Sequence, residues 1–189
     1  MESIELLVNE HKYIKRVLAV ARKLSLNILE RDEVDVDAFY MIIDFVRNYA
    51  DKHHHSKEED ILFRKMTEEL GAEVEAGPIA KMLNEHQMGR MFMQKLENAL
   101  LDYKNGDQES RLDIIANTIA YADMLFHHID KEDEAVYVYG EESLSDKNLE
   151  QVRDLVNKVE AEASEKGIQD KYVTMVKELE SRLKVKSSL

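Results

Sequence analysis

Apolar residues recur along the chain at intervals of three and four. Ile4, Leu7, Val8, Ile14, Leu18, Ala21 and Leu24 form one such stripe, predicting a first helix from about Ser3, its N-cap, to Leu29. After the acidic link "ERDEVDVD", a second series of Phe39, Ile42, Ile43, Val46, Ala50, Ile61 and Leu62 carries a helix to about Leu70. The stretch "GAEVEAGP" breaks that pattern. A third helix is predicted from Ile79 to about Tyr103 and, after the turn "KNGD", a fourth from about Glu109 to Tyr139. Long helices with short links predict an all-α fold, an antiparallel up-down-up-down four-helix bundle. Beyond Gly140, two amphipathic segments separated by Gly167 predict two additional C-terminal helices. They hold no histidine and no sustained heptad seam, so they are expected to pack on the bundle rather than form a dimerisation arm. The expected division is a bundle over residues 1–140 and a helical extension over 141–189.

Composition agrees with the helical reading and narrows the function. The chain has 189 residues, 44% of them hydrophobic, with one proline and six glycines, which suits a single compact unit. A formal net charge of -13, without any long basic run, excludes a nucleic-acid or anionic-membrane partner, because phosphate binding needs a local excess of Lys and Arg. The absence of cysteine excludes disulfides, thiolate zinc, cysteine-ligated iron-sulfur clusters and a cysteine nucleophile. The start "MESIELLVNEHKYIKRVLAV" lacks the pattern of a signal peptide, and no run approaches the roughly 20 apolar residues of a membrane span. A cytoplasmic location is the resulting expectation.

An internal repeat carries the strongest chemical signal. "NEH" at residues 9–11 recurs at 84–86, and "HHSKEEDILF" from His54 aligns by residue class with "HIDKEDEAVY" from His128. His54 then matches His128, Lys57 matches Lys131, Glu58 matches Glu132, and Phe63 meets Tyr137. Two helical hairpins are thereby predicted to be related by a pseudo-twofold axis. Each supplies a histidine from its first helix and an H-x-x-x-E from its second.

Residues four apart lie one turn apart on one helix face, so His54 with Glu58 and His128 with Glu132 each set an imidazole beside a carboxylate. Helical counting from His54 meets Ile43, Val46, Ala50 and Ile61, which places it on the apolar face; counting from His55 meets Asn48, Asp51, Lys52 and Glu59, which places His55 on the wet face. His53 and His127 have lysine at the fourth position, and with His55 they are assigned to the surface or to an outer layer. His11 lies among Ile4, Leu7, Val8, Ile14 and Leu18, and His86 among Ile79, Met82, Leu83 and Met93, so both are predicted to point inward. Four inward imidazoles and two inward carboxylates need a partner, since each unpaired buried polar group costs roughly 1 to 3 kcal/mol and a charge more. A dinuclear metal centre bridged by Glu58 and Glu132 would supply it. Nitrogen and oxygen donors without sulfur suit iron, manganese or zinc. Glu59, Asp60, Asp133 and Glu134 are read as a solvated face, and the nine methionines as core filler.

The ordered segments His11, "HHSKEE", His86 and "HIDKED" resemble the hemerythrin-like, or HHE cation-binding, family over about residues 1 to 140. The resemblance implies a four-helix bundle with a non-haem centre of two iron ions, His11, His54, His86 and His128 being terminal ligands and Glu58 and Glu132 bridges. Oxygen-carrying hemerythrins have His-x-x-x-His on the third helix, where this chain has His86 and then Arg90. One imidazole is therefore missing, which puts reversible oxygen carriage in doubt. Arg90 matches Lys15 in the repeat, and its expected role is a paired side chain above the site or a hydrogen bond to a metal-bound anion. The function implied is binding of a small ligand such as oxygen, nitric oxide or peroxide, for sensing, handling or detoxification. The rival reading is a redox enzyme or iron-centre repair protein with a redox partner; relatives linked to repair often carry a cysteine-bearing N-terminal segment, absent here. A weaker third reading is an iron store or an iron-sensing stability switch. Monomer and homodimer are both open.

Overall fold

The structure, a computed structural model, describes residues 2–185, all helical or in short links, with no strand among them. Helix α1 spans Glu2–Arg31. Helix α2 (residues 36–70) opens with Val36–Phe45, passes through two π-helical stretches at Val46–His55 and Glu58–Phe63, and ends with Arg64–Leu70. Helix α3 (72–104) comprises Ala72–Val74, a π-helical turn at Glu75–Ile79 and Ala80–Lys104. Helix α4 (111–143) comprises Arg111–Lys131, a π-helical turn at Glu132–Val136 and Tyr137–Ser143. Helices α5, Asp146–Glu165, and α6, Ile168–Leu183, follow.

Local chemistry sets the helix boundaries. The Asp35 side chain accepts a hydrogen bond from the Ala38 backbone N–H and starts α2, and Ser145 caps α5 in the same way through Asn148. Of the predicted break "GAEVEAGP", only Gly71 interrupts the helix, at a φ of 85° that a side chain would disfavour. Pro78, which lacks an N–H and crowds the carbonyl one turn back, is absorbed by the wider hydrogen-bond register of the π-helical turn around it. Helix α3 consequently starts seven residues before Ile79.

The apolar side chains do not form one continuous core. One cluster gathers Ile14 through Ile28 of α1, Ala38 through Ala50 of α2, Met93 through Leu100 of α3 and Ile114 through Ile129 of α4. The other gathers Ile4 and Leu7, Ile61 through Met66, Ile79 and Met82, and Val136 and Tyr137. Between them each of the four helices passes through a buried polar stretch: Glu10 and His11, residues 53–58, His86, and His128 to Glu132. Helices α5 and α6 enter both clusters, through Val152 and Val156 on one side and Tyr172, Val176 and Leu179 on the other. The packing thus seals a polar layer between two dry ones. Among the described residues no helix is long and apolar enough to cross a membrane.

Candidate metal centre

The six residues singled out by the repeat meet in that polar layer, and each is at most 1% exposed. The Nε2 atoms of His11 and His54 lie 2.9 Å apart, and those of His86 and His128 lie 3.0 Å apart. Two nitrogens bound side by side to one metal, with bonds of about 2.1 Å, are about 3 Å apart, so each pair has the spacing of neighbouring ligands.

The two glutamates lie between the pairs. Glu58 points Oε1 at His54 Nε2, 3.5 Å away, and Oε2 at His86 Nε2, 3.6 Å away. Glu132 points Oε2 at His11 Nε2, 3.4 Å away, and Oε1 at His128 Nε2, 3.1 Å away. Each carboxylate therefore offers one oxygen to each imidazole pair, as a bridge requires. Glu58 Oε2 and both oxygens of Glu132 are buried without a hydrogen-bond partner. Orphaned carboxylate oxygens in a sealed layer carry a penalty of several kcal/mol in sum, a large part of the roughly 5 to 15 kcal/mol by which a domain is stable. Two cations between the carboxylates would remove it, so the donor set fits a metal pair.

Behind each imidazole stands a second carboxylate. His11 Nδ1 donates to Asp133 at 2.7 Å, His54 Nδ1 to Glu10 at 2.8 Å, His86 Nδ1 to Glu59 at 2.7 Å and His128 Nδ1 to Glu85 at 2.9 Å. Such bonds fix the tautomer, leaving the Nε2 lone pair for a metal. Lys57 in turn holds Glu10, and Lys131 holds Glu85. The repeat's lysines and several of its acids thus have a place: in "NEH" the glutamate serves the other helix's histidine, and in "KEE" and "KED" the last acid serves the neighbouring hairpin's. The solvated-face reading holds for Asp60 and Glu134, which are exposed, and fails for Glu59 and Asp133. The clue was available, because these acids recur in both copies of the repeat.

Electrostatics show how the layer is balanced without metal. Burial opposes charge on His11 and His86, but the hydrogen bonds to Asp133 and to Glu59, together with the nearby charge of Glu132, outweigh it and raise them to about 9 and about 10. Burial and the charge of Glu132 push Glu58 up to about 8. Glu132 is held well below the carboxylate range against the pull of burial, chiefly by His128 and His11. Protons on two imidazoles thus stand in for the cations.

The assignment of the neighbouring histidines needs correction. His55, placed on the wet face by 3.6-residue counting, is 6% exposed, and His53, assigned with it to the surface or an outer layer because lysine stands at its fourth position, is 5% exposed. The π-helical register of residues 46–55 turns less per residue than an α-helix, so three consecutive histidines share the inward arc. His55 stacks on His86 with ring centroids 3.8 Å apart, and nitrogens of His55, His86 and His128 lie within 4.8 Å of one another. His53 Nε2 lies 2.9 Å from Glu10 and 3.2 Å from Glu160 of α5. Those three groups would also resemble a cation site, but the Lys57 ammonium, fully buried and paired with both glutamates, already occupies it. His127 is exposed, as expected, and Leu83, counted among the flank of His86, is exposed as well.

Two further residues break the symmetry of the copies. Tyr137 stacks on His11 and its hydroxyl donates to Glu58 Oε1, whereas its counterpart Phe63 stacks near His86 and has no hydroxyl. Arg90 donates to Asp51 from Nε at 2.9 Å and Nη2 at 2.6 Å, and to Glu59 from Nη2 at 2.8 Å. Its guanidinium is thereby committed to two carboxylates, the paired role expected for it.

No curated protein and no solved structure matches the chain. A family model described as the hemerythrin HHE cation binding domain matches residues 2–139, the stretch that contributes all six ligand candidates. The chain belongs to the hemerythrin HHE cation-binding family, whose domain binds metal cations, typically iron.

Proposed function

We propose that the protein holds a carboxylate-bridged di-iron centre of hemerythrin type, with up-down-up-down connectivity of α1 to α4, and that this centre binds oxygen, nitric oxide or peroxide for sensing, handling or detoxification. The observation that carries this reading is the pairing of two Nε2 couples, 2.9 and 3.0 Å apart, across three unpartnered carboxylate oxygens. Iron, when bound, supplies reversible electron exchange and coordination positions that a diatomic ligand can take. Manganese or zinc would find the same donors.

The chain's own residues do the rest. His11, His54, His86 and His128 present Nε2, and Glu58 and Glu132 each span both positions. Asp133, Glu10, Glu59 and Glu85 hold the rings in orientation. The two apolar clusters exclude bulk water from both ends of the layer, which strengthens every charge interaction within it. The Tyr137 hydroxyl, 3.4 Å from His11 Nε2, keeps a proton beside the His11 and His54 position. That proton supports a role in settling or protonating a ligand there.

Anaerobic loading with ferrous iron, followed by absorbance spectra during exposure to oxygen, nitric oxide and peroxide with a reversal step for each, tests the reading. Ligand bands that vanish on reversal support binding and sensing. Repeated turnover of peroxide or nitric oxide would instead establish a redox enzyme working with an electron-donor partner, and failure to bind iron would sink the reading altogether.

A further inference from the structure

Five of the seven histidines, not four, have Nδ1 facing a carboxylate. The fifth is His55, whose Nδ1 lies 3.3 Å from Asp51 Oδ1. His53 engages its carboxylates through Nε2 instead, and His127 is exposed. A carboxylate on the far nitrogen is the arrangement that fixes metal-bound imidazoles, and here it marks the four repeat histidines without exception.

We propose that His55 is a fifth imidazole ligand, serving the metal position of His86 and His128, and that Asp51 and Arg90 are its positioning residues. This inference rests on the metal-centre reading above. One nitrogen of each of His55, His86 and His128 lies within 4.8 Å of the others, against at most about 4.2 Å between ligands of one metal with bonds of about 2.1 Å, and because the His55 and His86 rings stand parallel, His55 must tilt out of that stack as well as close in. Room for that movement exists. A cavity of about 200 Å³ adjoins the stacked rings of His55 and His86 and is lined also by Gly89, Arg90 and Tyr121. Arg90 grips both Asp51, behind His55, and Glu59, behind His86. The third-helix position where an imidazole was missing is thus filled by an arginine that supports one supplied from α2.

The repeat shows that this is specific to one half. His55 has Ile129 at the matching position of the second copy, so nothing equivalent reaches the His11 and His54 position. Five protein donors then surround one metal and four the other, and the two positions are inequivalent.

Cobalt-loaded protein provides the test, because each Nδ1–H on a metal-bound imidazole gives a separate hyperfine-shifted, exchangeable proton signal. Wild type should show five such signals and His55→Phe, which keeps the ring's packing, should show four. In chelator competition His55→Phe should weaken one of two cobalt ions by at least about tenfold and leave the other unchanged, with Asp51→Asn weakening the same ion to a smaller degree. His127→Gln should match wild type. If His55→Phe fails to give a helical circular-dichroism spectrum, His55→Gln replaces it. Two ions bound with unchanged affinity and four signals in both wild type and variant would overturn the role of His55 while leaving the metal centre intact. No cobalt and no iron bound by wild type would overturn both.

Discussion

Glu10 and His11 are adjacent in sequence, yet Glu10 accepts its hydrogen bond from His54 on the next helix, 2.8 Å away. The same crossing recurs between Glu85, which precedes His86, and His128 at 2.9 Å. Each "NEH" segment therefore lends an imidazole to the buried polar layer and a carboxylate to its neighbour's imidazole. Glu10→Gln and Glu85→Gln should each lower metal affinity by about 10 to 100-fold while preserving the helical fold, as chelator competition and circular dichroism would show. Unchanged affinity in both would mean that the crossing bonds do not orient ligands.

Metal loading should release protons. At pH 7.5 His11 and His86, raised to about 9 and about 10, carry protons that a metal on Nε2 must displace, and Glu58, raised to about 8, carries part of another. Calorimetry in buffers of different ionisation enthalpy should report between two and three protons per chain, declining above pH 9. The sign for stability follows from the same shifts. A histidine raised in the folded state contributes stability that is complete below its unfolded value of about 6.5 and lost as pH rises through 9 to 10. The metal-free chain should accordingly melt at lower temperature at pH 10 than at pH 7.

The matched lysines differ in burial, and their removal should differ in consequence. Lys57 is fully buried between Glu10 and Glu160, while the Lys131 side chain is 34% exposed beside Glu85 alone. Breaking the buried pair with Lys57→Met should cost roughly 3 to 5 kcal/mol in urea unfolding, since it removes the ammonium that balances two largely buried carboxylates. Lys131→Met should stay within about 1 kcal/mol. Equal losses would contradict the asymmetry that α5 introduces.

Tyr137→Phe copies the residue that stands at Phe63 in the other half, so the packing should tolerate it. At pH 7 without metal, where Glu58, raised to about 8, is mostly protonated, it removes the donor to Glu58 Oε1 and should cost about 0.5 to 1.5 kcal/mol, the range for a hydrogen bond between uncharged groups. With metal on that oxygen the loss should shrink. Thermal melts of both proteins with and without metal would reveal the difference, and equal losses in the two states would argue against Glu58 as a ligand.

Much of this was legible in the chain. The helices follow from apolar periodicity, and the six residues that meet in the buried polar layer follow from a repeat whose two copies share spacing. The phase of residues 46–63 was not, because counting at 3.6 residues per turn presumes the α-helix, and the π-helical register there rotates His53 and His55 inward. Nor did periodicity show that Glu59 and Asp133 face neighbouring helices, although their recurrence in both copies hinted at a shared task. The contribution of Glu160 had no such hint, for α5 lies outside the repeat and its carboxylate acquires meaning only beside Lys57.

On this reading the polar layer between the two apolar clusters holds two metal ions. The most direct test is the iron content of protein loaded anaerobically with excess ferrous iron and then desalted, for wild type and for His54→Ala and Glu132→Gln. Two iron ions per chain in wild type, with fewer in each variant, is the result predicted. No iron in wild type, or two in all three proteins, would rule out a two-metal layer held by His54 and Glu132.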